Sequence, residues 1–377
     1  MPDLITRHEE GPSVSVTDTP AIRWFDELRK DDRPQVGGKC ASLGELTSAG
    51  IPVPRGFAIT VDAWEQVIEH GGLREQISSW TAGVDPGDNA ALREVQRHAV
   101  EIIGAAPIPE HVESAIRAGY AELCARAGVA EVPVAVRSSA VAEDGEATSF
   151  AGQQETYLWV VGIDEVVARI RDCWASLFTP QAIAYRSKLD DQARYEAVLM
   201  SVAVQEMVDA EVAGVGFTVS PRTGDPSVMA VNASWGLGET VVSGEVTPDE
   251  FWIDKVQRSV RSRTITHKEQ QCVPAPGGTG TATVPVPAER ADEPSLDDQQ
   301  LRELADIMVS VERHYGAPQD IEWAMARDAD GSHRFLLLQS RPETVVTARR
   351  ATTPAPSPVT SYLSMVQSLS SRAGGGS

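Results

Sequence analysis

The stretch DIEWAMARDADGSHRFLLLQSRPE, residues 320–343, holds two runs of strand-like composition around Asp330-Gly331. Asp-Gly between two such runs signals a hairpin, because both central residues of a type I′ turn need positive φ. With these two residues as the turn, Glu322 faces Gln339, Asp320 faces Arg341 and Trp323 faces Leu338. Side chains two apart on a strand share a face. The four polar groups therefore stand together, and Ile321, Trp323, Leu338 and Ser340 point the other way. A carboxylate opposite an amide carbonyl offers two hard oxygen donors, which suit Mg²⁺ completed by phosphate and water. An adjacent arginine can grip the same phosphate in a bidentate way. The alternative is an exposed polar face whose Asp–Arg pair contributes under about 1 kcal/mol.

Working outward, the 377 residues suffice for two or three domains with their own cores. A net charge of −21 disfavours nucleic acid and anionic membranes as partners, since both would be repelled. The N-terminal MPDLITRHEE lacks the apolar core of a signal peptide, and no run of 18 apolar residues occurs. Cys40, Cys124, Cys173 and Cys272 form no CxxC pair, a pattern of reduced thiols. A cytoplasmic location is expected.

Four segments are expected: a loose N-terminus over 1–20, a first lobe over 21–197, a second over 198–346, and a Pro/Ala/Ser-rich linker and tail over 347–377. The fold class is α+β. VPVAVRSSA reads as a strand, and IDEVVARIRDCWASLF as a helix with Val166, Val167, Ile170, Cys173, Trp174 and Leu177 on one face. VLMSVAVQEMV opens the second lobe as a strand. The Pro/Gly/Thr-rich stretch 273–294 reads as a surface loop, and the helix after it takes Ser295 as its N-cap.

Two further places suit phosphate. QVGGKCASLGEL sets Lys39 after a Gly-Gly turn and before a helix, an anion-binding arrangement that lacks Walker A spacing. In VRSSAVAEDGEATSFAGQQETY, Arg137 sits at a strand end and Ser149–Gly152 form a small-residue loop that backbone N–H groups could turn on a phosphate. Gln205-Glu206 ends a strand in a polar pair that could read an adenine edge or simply turn the chain.

Taken in order, VGGKCASLGEL, IPVPRGFAIT, VRSSAVAED, SFAGQQETYL, GVGFTVSP, NASWGLGE, PQDIEWA and LLQSRPET resemble the ATP-binding region of phosphoenolpyruvate synthase, pyruvate phosphate dikinase and rifampicin phosphotransferase. The resemblance implies an ATP-grasp fold of two lobes holding ATP and Mg²⁺. It implies that Lys39 and Arg137 bind phosphates and act in transfer, and that Gly152 and Thr156 cover them. Gln205, with Glu206, would lie in the adenine hinge, and Glu239 would line the cleft. Glu322 and Gln339 would ligate Mg²⁺, with Arg341 on the transferring phosphate and Asp320 supporting it.

In this family phosphate passes to a histidine on a swivelling domain, in a Gly-Gly-x-Thr-Ser-His type setting. None of the seven histidines has that setting, and His267 in RTITHKE lacks the glycines. The expectation is an ATP-using part whose partner is a histidine domain, either a separate polypeptide, as in phenylphosphate-synthase-like systems, or the rest of a longer enzyme. A self-sufficient ATP-grasp ligase and a nucleotide sensor are the rival readings.

Overall fold

The computed structural model describes residues 19–81, 84–141, 155–186, 198–328 and 330–343. Contacts divide the chain into two compact units. The first comprises Met1–Ser48, Pro54–Met207 and Pro274–Thr281; the second comprises Ala49–Val53, Val208–Val273 and Ala282–Ser377.

The first unit holds a five-stranded antiparallel sheet, made of β1 (Ile22–Trp24), β2 (Gly56–Ile59), β3 (Val134–Ala140), β4 (Thr156–Val160) and β5 (Met200–Glu206). Their spatial order is β1-β2-β5-β3-β4. The strand expected to open the second lobe is thus the centre of the first sheet, and the boundary falls after Met207. One face buries Phe57, Ile59, Val134, Val136, Val202 and Val204 against helices, and Trp64 stacks on Trp174 there at 5.0 Å. Helix Ile163–Ala175 turns the expected stripe inward: Val166, Val167, Ile170, Cys173 and Trp174 are buried, and Leu177 follows in a 3₁₀ turn. All four cysteines are free and buried.

The second unit is built on a six-stranded antiparallel sheet in the order β13-β12-β6-β7-β8-β9. Its strands are β6 (Ala210–Phe217), β7 (Val228–Trp235), β8 (Asp249–Asp254), β9 (Val260–Thr264), β12 (Gln319–Arg327) and β13 (His333–Pro342). Within 273–294, where a loop is expected, the chain forms part of a two-stranded ribbon, β10 (Gln270–Pro274) with β11 (Thr281–Pro285). Helix Asp298–Tyr315 buries Leu301, Leu304, Ala305, Met308 and Val311, the i, i+3, i+4, i+7 pattern of one apolar stripe. A Cβ on Gly216 would lie 2.9 Å from Met308 Cε, so this helix packs on the sheet face that carries Ile321 and Trp323.

The N-cap of that helix is Asp297, which accepts from the backbone N–H groups of Gln299 and Gln300 at 2.8 Å. Ser295 is committed elsewhere: its N–H and hydroxyl both donate to Asp249, 2.8 Å away. Asp249 also accepts from Lys268 Nζ at 2.8 Å, with both side chains fully buried. A buried carboxylate needs such partners to be tolerated, and this need claims the serine.

Candidate functional site

In the second unit the hairpin pairs Glu322 with Gln339 and Asp320 with Arg341, as read from the sequence. The route to that register differs from the expected one. The strands close at Arg327↔His333, with Asp328 N–H donating to Ser332 at 2.8 Å and Gly331 at φ +86°. That closing pair is one step out of phase with a two-residue Asp330-Gly331 turn. A bulge then pairs Trp323 with Leu337 instead of Leu338, which restores the phase before the polar pairs. Ile321 and Trp323 are completely buried on the helix side. Asp320, Glu322 and Gln339 are half-buried on the opposite face, with Arg341 exposed beside them.

Arg341 donates from Nε and approaches with Nη2 to the same oxygen of Asp320, at 2.8 and 2.7 Å. Burial nevertheless pushes the Asp320 carboxyl above its usual range, outweighing the downward pull of Arg341; Glu322 and Glu343 push it further up. A buried carboxylate that resists holding its charge, as Asp320 does, is one that a nearby cation would relieve. Among the described residues no three His, Cys, Asp or Glu side chains gather as a self-sufficient metal site. Glu322 and Gln339 thus offer two oxygens, and a metal held there would need phosphate and water to complete its shell. That donor set fits Mg²⁺.

The first unit carries Lys39, Arg137, Thr156, Gln205 and Glu206. Arg137 on β3 pairs with Ala203 on β5 and with Thr156 on β4. Gln205, two residues from Ala203, shares that face. The same face continues through Ala135 and Ser139, which are buried with it. Arg137 is 9% exposed and Gln205 only 2%. Gln205 Nε2 is buried with no hydrogen-bond partner among the described residues, a donor that an adenine ring nitrogen could satisfy. The Glu206 side chain alternates to the other face, where Arg55 donates to it at 2.9 Å.

The Gly-Gly-Lys turn is fixed to the same strand. Gly37 breaks helix Arg33–Ser48 with φ +71°. A Cβ there would fall 2.0 Å from the Ser139 carbonyl oxygen, so only glycine allows the approach. Ser139 Oγ donates to the Val36 carbonyl at 2.9 Å and accepts from the Cys40 N–H at 3.3 Å. This buried serine, which the sequence reading passed over, ties Lys39's turn to the strand bearing Arg137. Ser149 and Gly152 lie outside the described residues. Glu239 opens the short helix Glu239–Ser243 in the second unit, where the Cys272 thiol donates to it at 3.5 Å. His267 pairs with Asp292 on the surface.

Antiparallel sheets with helices, a buried arginine on one sheet and an oxygen-donor hairpin on the other fit an α+β nucleotide-binding domain of the ATP-grasp type. The chain matches the family described as pyruvate phosphate dikinase, AMP/ATP-binding domain, over residues 33–358, and it belongs to that family. It is 41% identical over 350 residues to a probable phosphoenolpyruvate synthase of Staphylothermus marinus, covering 87% of this chain and 42% of that protein. It is 40% identical over 362 residues to the phosphoenolpyruvate synthase of Pyrococcus furiosus, covering 86% of this chain and 44% of that protein. A probable phosphoenolpyruvate synthase of Archaeoglobus fulgidus is 43% identical over 325 residues, covering 86% and 42%. The chain therefore spans less than half the length of these curated relatives. Among the described residues no helix is long and apolar enough to cross a membrane.

Proposed function

We propose that this chain is the ATP-cleaving part of a dikinase-type phosphotransferase. ATP and water are converted to AMP and phosphate, and one phosphoryl group passes to a histidine on a swivelling domain or subunit. That phosphohistidine then serves a small organic acceptor, phenolic or pyruvate-like. The observation that carries the reading is the hairpin register, which sets Glu322 against Gln339 and Asp320 against Arg341 on one half-open face.

Each residue has a role that follows from its chemistry. Lys39 and Arg137 place positive charge on phosphate oxygens, Lys39 as a mobile point and Arg137 from a fixed central strand. Thr156, with Ser149 and Gly152 of the preceding segment, covers the phosphates. Gln205 donates to the adenine edge, and the backbone at Glu206 ends the strand there. Glu322 and Gln339 would hold Mg²⁺, which when bound would supply Lewis-acid stabilisation of negative charge on the phosphates. Arg341, oriented by Asp320, grips the transferring phosphoryl group. Glu239 contributes a further carboxylate to the second unit's polar surface. The nucleotide-sensor reading is disfavoured because a sensor has no need of Glu322, Gln339 and Arg341 together.

Incubation with ATP labelled in its β and γ phosphates, with and without a candidate histidine-domain protein, tests the proposal. AMP, phosphate and an acid-labile phosphohistidine are expected only when the histidine domain is supplied. Complete turnover of an organic acceptor by the isolated chain would instead establish a self-sufficient kinase or ligase.

A further inference from the structure

The half-open face of the second sheet extends past the hairpin. Glu322 pairs with Val215 on β6, and Val215 pairs with Asn232 on β7. Gln339, Glu322, Val215 and Asn232 therefore stand in one transverse row, with Asn232 two strands from Glu322, or roughly 10 Å at the usual strand spacing. All four are half-buried, whereas Val231 and Ala233 beside Asn232 are fully buried on the helix face. Asparagine is a poor strand former, and it occupies the interior of a central strand where Val or Thr would serve the fold better. Two residues on, Ser234 shares the face and is 1% exposed, its hydroxyl lacking a hydrogen-bond partner among the described residues. Polar groups set at a cost in a central strand mark a surface shaped for a ligand.

We propose that Asn232 is a further nucleotide-binding residue, donating from Nδ2 to a phosphate oxygen of the metal-bound triphosphate. This rests on the reading of Glu322 and Gln339 as the metal ligands. Val215 has no hydrogen-bonding group and fills the row between them, so an extended polyanion anchored at the metal passes over it to the amide. A neutral donor there would bind phosphate without adding to the charge of Arg341 on the same face.

The test is calorimetric binding of Mg-ATP to the full chain and to Asn232→Val, Asn232→Asp and Glu322→Ala, with thermal melting of each. Valine suits the strand, so Asn232→Val should melt at or above the parent temperature while binding Mg-ATP about tenfold more weakly, the loss of one hydrogen bond to a charged group. Asn232→Asp should bind more weakly still, because a carboxylate would face phosphate. Unchanged binding by Asn232→Val alongside weakened binding by Glu322→Ala would overturn the inference and leave the metal assignment standing. Unchanged binding by all variants would overturn both. Binding by Asn232→Asp equal to or tighter than the parent would place the amide oxygen, not Nδ2, at the metal and would also overturn the assignment.

Discussion

The two units build their polar faces in opposite ways. In the first, Arg137 and Gln205 are sunk among Ala135, Ser139 and Ala203 on central strands, and the turn bearing Lys39 is bolted to β3 through Ser139. In the second, Asp320, Glu322 and Gln339 stand half-open on the two outermost paired strands of the sheet. A buried donor is fixed in advance, which suits groups that must meet phosphate in one geometry. A half-open pair of oxygens can shed and regain water, which suits a metal that arrives and leaves with its nucleotide.

The comparison breaks first if the hairpin faces are misassigned. Trp323→Ala should cost about 3–5 kcal/mol of stability in denaturant unfolding, the range for a buried aromatic. Glu322→Ala should stay within about 0.5 kcal/mol of the parent while abolishing phosphoryl transfer. The reverse pattern would mean that the strand is inverted.

Gly37 tests the rigidity of the first face. Gly37→Ala should destabilise by roughly 1–3 kcal/mol from backbone strain alone, and the Cβ must also displace β3 at Ser139. ATP affinity should fall with it, because Lys39 moves. A variant of parental stability and affinity would show that the turn is not anchored as described.

At the nucleotide, Arg137→Ala or Lys39→Ala should weaken ATP binding by about 1.5–3 kcal/mol each. Unchanged calorimetric affinity in both would remove them from the site.

The smallest effect concerns pH. Burial raises the Asp320 pKa above its ordinary 3.8, so the folded state holds this proton more tightly than the unfolded chain. The cost of the buried charge is absent below that value and grows as pH rises through the folded pKa. Asp320→Asn should therefore gain stability relative to the parent over this rise and then hold level. A difference independent of pH would show that Arg341 cancels the burial.

Much of this was readable in the sequence where the chemistry is local. Period-two alternation gave the polar face of β12, and Asp-Gly marked the reversal. The bulge was hidden because Leu336, Leu337 and Leu338 form an unbroken apolar run that carries no phase. The register at Glu322 emerged correctly because the turn offset and the bulge cancel. Long-range choices left no local mark. β5 is buried on both faces, so its composition cannot say which sheet it joins. Ser295 looks like a cap until Asp249, far off in sequence, claims its hydroxyl. Asn232 and Ser234 alternate with Val231, Ala233 and Trp235 in the NASW stretch, and that period-two signal could have placed both on the site face.

The most direct test of the metal assignment is ATP binding measured by calorimetry with and without Mg²⁺, on the parent chain and on Glu322→Ala with Gln339→Ala combined. The parent should bind ATP more tightly when Mg²⁺ is present. The double variant should lose that enhancement yet keep metal-free ATP binding through Lys39 and Arg137. A double variant that retains the full Mg²⁺ enhancement would show that the metal is held elsewhere.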